Sequence, residues 1–161
     1  MIEDGANISD SATIHPMALV ESGASVGPGT SIGPFCLVRR AARIGANCKF
    51  TAYCEIRENV RIGDGTRFGS RCTISANAVI GNNVTIKYGF VLTDTPKLEE
   101  EQTKRVGTIG DNVLIGANVT LMPGFSIGRD SVIGACSQVR SDVGENEVWF
   151  GNPAALYKSK S

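Results

Sequence analysis

From Ile8 to Leu92, every sixth residue is apolar without a miss: Ile8, Ile14, Val20, Val26, Ile32, Val38, Ile44, Phe50, Ile56, Ile62, Phe68, Ile74, Ile80, Ile86 and Leu92. Only 41 of the 161 residues are Ile, Val, Leu or Phe. A run of this length then has chance odds on the order of one in a billion, which makes internal repetition the governing feature of the chain. The phase resumes at Ile109 and continues through Ile115, Leu121, Ile127 and Ile133 to Val139. Four places after most of these residues stands a small or slender side chain, among them Ala18, Ala24, Thr30, Cys36, Ala42, Cys48, Cys54, Thr66, Cys72 and Ala78. A hexapeptide period with this partner position is the mark of a parallel β-helix.

Inside the short period lies a longer one. Every third apolar position is followed by glycine, at Gly27, Gly45, Gly63, Gly81, Gly110 and Gly128. Three hexads therefore make one coil of a three-sided prism, with these glycines stacked at one corner. The expectation is that they adopt turn angles a Cβ would oppose. The apolar residue and its slender companion point inward and fill a narrow core. Coils rise by one strand spacing, so about seven of them give a column of roughly 34 Å.

Between Leu92 and Ile109 the phase breaks once, and the corner glycines place the break in the third hexad of the fifth coil. The chain reads as a single domain, residues 1–161. Residues 1–7 cap one end, 8–144 form the coils with an inserted loop at 93–108, and 145–161 cap the other. Sixteen basic and sixteen acidic residues cancel, which removes the electrostatic case for nucleic acid or a membrane as partner. No apolar run approaches the ~18 residues of a membrane span, and Met1-Ile2-Glu3-Asp4 does not read as a signal peptide, so a cytoplasmic protein is expected. Five cysteines, an odd count, argue against a disulfide framework and read as small buried hydrophobes. Cys36, Cys54 and Cys72 recur every eighteen residues, parallel in successive coils rather than converging on a metal ion.

Polar residues at the corners are the candidates for chemistry. Asp94 leaves the scaffold two residues after Leu92, at the root of the inserted loop, and is the carboxylate placed to orient or deprotonate an amine. An Asx-turn before Pro96 is the competing reading. Arg39, Arg57 and Thr93 share one column, each following a third-hexad apolar residue. The two guanidiniums, about 4.8 Å apart, suit a diphosphate, or are surface charges. The single histidine, His15, lies four coils above the loop and is expected to be structural.

The hexads, together with Ile133-Gly134-Ala135-Cys136-Ser137-Gln138-Val139-Arg140-Ser141-Asp142-Val143 and the closing Gly151-Asn152-Pro153-Ala154, resemble the hexapeptide-repeat acyltransferases over nearly the whole chain. Ile14-His15-Pro16 and the late loop resemble, within that family, the nucleotide-sugar N-acetyltransferases of surface-polysaccharide pathways. The resemblance implies an all-β fold, a left-handed parallel β-helix against the usual crossover rule, and a homotrimer with acyl-CoA lying between subunits. By position it implies that Gly116, Ala117 and Ala135 face the pantetheine arm, and that Arg140 and Ser141 approach the nucleotide end of CoA. A basic residue usual after the Asn-Pro-Ala turn is Ala155 here. Relatives of this fold that bind zinc use three histidines, which one cannot supply, so no metal is expected. The implied activity is transfer of an acetyl group from acetyl-CoA to the amino group of a nucleotide-linked amino sugar. Such an acceptor fits the missing mid-helix histidine, because part of an amine population is already neutral near pH 7. The alternatives are another acyl donor such as succinyl-CoA, a non-sugar acceptor, or a non-catalytic trimeric scaffold.

Overall fold

The computed structural model describes residues 1–94 and 106–161. The inward period dictates strands of only two residues, of which the second is always the apolar repeat position. Three parallel sheets result. The first face stacks Asn7–Ile8, Ser25–Val26, Arg43–Ile44, Arg61–Ile62, Val79–Ile80 and Thr108–Ile109. The second begins at Thr13–Ile14 and the third at Leu19–Val20, each advancing by one coil per strand. Together they form the left-handed β-helix of hexapeptide repeats, about seven coils long. Val79 pairs with Thr108 and Ile80 with Ile109, so the loop leaves the fifth coil without disturbing the register below it. Ile2 bridges to Val20, which brings the one isoleucine before Ile8 into the same phase. At the far end, strands Glu147–Gly151 and Ala154–Ser159 form an antiparallel hairpin across the base of the second face.

The core is the two inward columns. Repeat residues from Val20 to Val139 are essentially without solvent contact, as are the companions Ala18, Ala24, Cys36, Ala42, Cys54, Val60 and Ala78. Phe50 and Phe68 stack on consecutive coils with ring centroids 4.6 Å apart and planes within 9°. Not every companion is slender. Phe90 is fully buried in that position, so the prism is roomier beside Leu92 than the small-residue pattern suggests.

Hydroxyl and thiol companions have a shared task. Thr30 donates to the Gly45 carbonyl at 2.7 Å and Thr66 to Gly81 at 2.9 Å. The Cys48 thiol donates to Gly63 at 3.1 Å, and that of Cys54 to Gly69 at 3.2 Å. Each bonds a corner carbonyl one coil on, and Gly69 also accepts from the Cys72 thiol at 3.2 Å. Cys36, Cys48, Cys54 and Cys72 are buried as expected. The hydrogen bond with Cys36 pulls the Cys54 thiol down, but that with Cys72 and then burial outweigh it and raise the thiol to about 12. Cys136 differs: it is exposed, because it stands at a corner, one residue short of the inward position.

The corner glycines are needed for a different reason from the one their spacing suggests. Gly27, Gly45, Gly63, Gly81, Gly110 and Gly128 have no left-handed backbone; a Cβ on Gly63 would lie 2.7 Å from the Gly81 carbonyl of the next coil. The left-handed residue comes two places later, three after the apolar position. Gly29, Asn47, Gly65, Asn83, Asn112, Asp130 and Asn146 fill it at the corner between the first and second faces. Asparagine, aspartate and glycine tolerate that conformation best. One place earlier, Asp64 accepts the Ala46 amide, Asn82 the Asp64 amide and Asp111 the Asn82 amide, at 2.7–2.8 Å. This side-chain ladder ties successive coils together.

Candidate active site

The candidate residues fall on two corners that flank the third face. Gly116 and Ala117 follow Ile115, and Ala135 follows Ile133, at the corner between the second and third faces in the sixth and seventh coils. They are in contact. The Gly116 amide donates to Ile133 at 2.8 Å, and a Cβ on Gly116 would lie 2.6 Å from the Ala135 nitrogen. Side chains are small here, and the backbone is open to the exterior at Ala135. Such a strip suits a ligand that lies along the column and bonds to main-chain groups.

Arg140 and Ser141 follow Val139 at the corner between the third and first faces of the seventh coil, both exposed. Arg140 forms no ion pair among the described residues. Asp94 and Thr93 sit on this same corner two coils up, about 10 Å along the axis by strand spacing. The Thr93 amide and hydroxyl both donate to the Leu121 carbonyl, at 3.0 and 2.9 Å. Its hydroxyl proton is thus committed to the scaffold. Asp94 is half-buried at the edge of the described residues; residues 95–105 of the predicted loop 93–108 lie outside them, and Thr108 already belongs to the strand Thr108–Ile109.

Arg39 and Arg57 occupy the same column higher up, and their surroundings change what they can do. Arg39 pairs with Glu21 at 2.8 Å and Glu55 at 3.3 Å; Arg57 pairs with Glu58 at 3.1 Å and Glu55 at 3.7 Å. The hydrogen bond from Arg39 is the main influence holding the Glu21 carboxyl below its ordinary range. A diphosphate at these guanidiniums would have to compete with three carboxylates. Arg39 takes its partners from the coils above and below, which become neighbours only on stacking, whereas Arg57 takes Glu55 and Glu58 from its own coil. His15 is half-buried in the first coil, where its Nδ1 accepts the Met17 amide at 3.1 Å. It closes a turn, far from Asp94. Among the described residues, no group of three or more His, Cys, Asp or Glu is arranged to hold a metal ion, and no helix is long and apolar enough to cross a membrane.

One cluster escaped the sequence reading. At the corner between the second and third faces, above Gly116, the left-handed position holds Phe35, Tyr53 and Arg71 on three consecutive coils, at φ of 59°, 55° and 61°. Phe35 and Tyr53 are exposed and stacked, with centroids 4.9 Å apart. The available signal was the column itself: bulky residues stand where the neighbouring corner carries asparagine, aspartate or glycine.

Comparison with known proteins covers the chain in two parts. Residues 107–141 match the family described as bacterial transferase hexapeptide (six repeats). Soybean serine acetyltransferase is 39% identical over 60% of this chain and 40% of its own, with a TM-score of 0.55. Serine acetyltransferase of Neisseria gonorrhoeae is 34% identical over 63% of this chain and 39% of its own, with a TM-score of 0.59. A Saccharomyces cerevisiae protein, YJL218W, named provisionally as an acetyltransferase, is 45% identical over 51 residues, 32% of this chain and 26% of its own. The chain thus spans about a quarter of the yeast protein and two fifths of the two serine enzymes. The UDP-N-acetylglucosamine O-acyltransferase of Moraxella catarrhalis aligns with 98% of this chain and 74% of its own at 20% identity and a TM-score of 0.54, a likeness of fold. Residues 2–105, more than half of the chain, match the family described as the GMPPB C-terminal domain, and the chain belongs to that family.

Proposed function

We propose that the protein is an acetyl-CoA-dependent N-acetyltransferase acting on the amino group of a nucleotide-linked amino sugar, working as a cytoplasmic homotrimer. The observation that carries the reading is a coincidence of segments. The stretch that matches the bacterial transferase repeats, 107–141, is the one that holds Gly116, Ala117, Ala135, Arg140 and Ser141. In this reading the pantetheine arm runs along the small-residue corner, and Arg140 pairs with a phosphate of CoA. The column needs a second copy to close that corner into a groove, and the outward Leu19, Leu37 and Val91 on the third face are the apolar residues such a contact would cover.

Chemistry at Asp94 follows from what an amine needs. Attack on the thioester requires a neutral nitrogen, a fixed carbonyl and a donor to the developing oxyanion. Asp94 orients the amine from a fixed coil, and backbone amides of the corner strip serve the oxyanion. A hydroxyl acceptor demands a stronger base than this corner offers, which favours an amine over a serine-like substrate. A second reading, a β-helix module without catalysis, draws support from the match of residues 2–105 to a domain that is one part of a larger protein.

Calorimetric titration of the full chain with CoA separates the two, with analytical ultracentrifugation alongside. Saturable CoA binding by a trimer is the expected result. A monomer without CoA affinity at millimolar concentration overturns the proposal.

A further inference from the structure

The third residue after each apolar position adopts the left-handed conformation at corner after corner, and each corner has its own population of residues there. Between the first and second faces the column is Gly29, Asn47, Gly65, Asn83, Asn112, Asp130 and Asn146. Between the third and first it is Gly23, Ala41, Asn59, Asn77 and Gly124. Apart from Ala41, whose side chain is a single methyl, both lists are what the backbone prefers. Among the described residues, only the corner between the second and third faces spends this conformation on large side chains, Phe35, Tyr53 and Arg71 in succession. A bulky residue in the left-handed region is strained, and such strain gathers at binding sites.

These side chains contribute nothing to the core that would account for them. Phe35 is 44% exposed and Tyr53 is 56% exposed, although their rings are stacked. The Arg71 side chain makes no hydrogen bond or ion pair among the described residues. The next coil carries Gly89, which has no side chain, and this gap opens a groove of about 400 Å³. Tyr53 and Arg71 form its upper wall, Tyr88 and Asn118 its lower one, and Ser70 lies between. Tyr88 is itself 61% exposed. The groove runs directly into the Gly116–Ala117 strip, since Asn118 lines the one and follows the other.

We infer that this groove binds a nucleoside diphosphate, with the base stacked against Tyr53 and the phosphates on Arg71. Aromatic faces accept any base by stacking. An unpaired guanidinium forks onto phosphate oxygens. One coil, about 4.8 Å, separates the two residues along the column, the Asn118 amide supplies a neutral hydrogen bond, and the Ser70 oxygen, whose proton goes to Thr51 at 3.0 Å, is left to accept one. The inference rests on the proposed acceptor being nucleotide-linked, and it moves the nucleotide from the Arg39–Arg57 column, whose cations already have carboxylates, to a cation that has none. CoA carries the same chemistry in its adenosine diphosphate end, so the two sources must be separated experimentally.

The test is calorimetry on the full chain with UDP, GDP, ADP and inorganic pyrophosphate as probes. Tyr53→Asn and Arg71→Asn are the variants, because asparagine keeps the left-handed backbone. Arg61→Asn, the same loss of charge on the outward side of the first face, is the control. At least one nucleoside diphosphate should bind, more tightly than pyrophosphate, and each groove variant should weaken it tenfold or more while Arg61→Asn leaves it unchanged. Unaltered binding in saturating CoA assigns the groove to the acceptor; displacement by CoA assigns it to the cofactor's own nucleotide, and both support the site. No binding of any nucleoside diphosphate at millimolar concentration overturns the inference, as does wild-type affinity in Tyr53→Asn or Arg71→Asn. A Tyr53→Asn protein with altered sedimentation and unchanged nucleotide affinity would show instead that the rings cover a subunit contact. The acyltransferase reading fails separately, through loss of CoA binding, so a chain that binds CoA but no nucleoside diphosphate sinks only the groove.

Discussion

Gly63 and Gly65 lie two residues apart on one corner, and substituting them should fail for opposite reasons. Gly63 has ordinary backbone angles, but an added Cβ meets the Gly81 carbonyl carbon and oxygen at 2.7 Å. Both are backbone atoms of the next coil, so relief requires prising two coils apart along the whole ladder. Gly65 sits at φ +69°, and its Cβ would meet chiefly the Asn83 side-chain oxygen at 2.4 Å, the end of a group that can swing away. Overpacking a closed contact costs about 1–3 kcal/mol, and placing an ordinary residue in the left-handed region costs roughly 1–2 kcal/mol. The two alanine variants are therefore similar in magnitude and do not discriminate. Asparagine does. Gly65→Asn joins a column that already holds Asn47 and Asn83, and should lose less than Gly65→Ala, under about 1 kcal/mol. Gly63→Asn adds bulk where none fits and should lose more than Gly63→Ala. Urea unfolding followed by far-ultraviolet circular dichroism reads all four. If Gly63→Asn proved as mild as Gly65→Asn, crowding between coils would not be the reason for the glycine column.

Other consequences follow from single residues. Phe68→Ala empties a site stacked on Phe50 and should destabilise the fold by about 3–5 kcal/mol in the same urea assay. Arg140→Ala should weaken CoA binding by about 1.5–3 kcal/mol with the melting temperature unchanged; equal calorimetric affinity in the two proteins refutes the phosphate assignment. Arg39→Met removes the hydrogen bond that lowers Glu21 from its ordinary 4.5. Since the folded carboxyl titrates below the unfolded one, the pair stabilises fully above pH 4.5 and loses its effect as the pH falls through the folded value. The variant should be less stable than wild type at pH 7, by under about 1 kcal/mol, with the gap closing in acid. Asp94→Asn should reduce turnover modestly if the carboxylate orients the amine, and by roughly 10²–10⁴ if it is a general base; in the second case the acid limb of the pH–rate profile disappears.

The fold was legible because two inward positions per hexad leave so little choice. A residue such as Ile74 or Cys72 has one face to meet and one size that fits, and repetition turns a weak local preference into a strong pattern. The glycine column was legible as a column but not in its cause. Crowding at Gly63 arises from Gly81, eighteen residues away, and looks from sequence like a demand of the turn. Phe90 was missed for a related reason. The room it occupies is set by the residues of the coils above and below, which no single hexad records.

Outward positions obey no such pairing, and the candidate site is written on them. The column of Arg39 and Arg57 was read without its carboxylates: Glu21 and Glu55 reach Arg39 only when coils stack, while Glu55 and Glu58 stand beside Arg57 in the sequence itself. The same stacking makes departures readable. Each corner has a habitual residue at its left-handed position, and a substitution that the backbone resists marks a side chain retained for what it meets outside the protein. Phe35, Tyr53 and Arg71 depart three times running, on the corner that leads to Gly116. In a protein whose inward residues repeat, function is to be sought where an outward column breaks its own rule at a cost in strain.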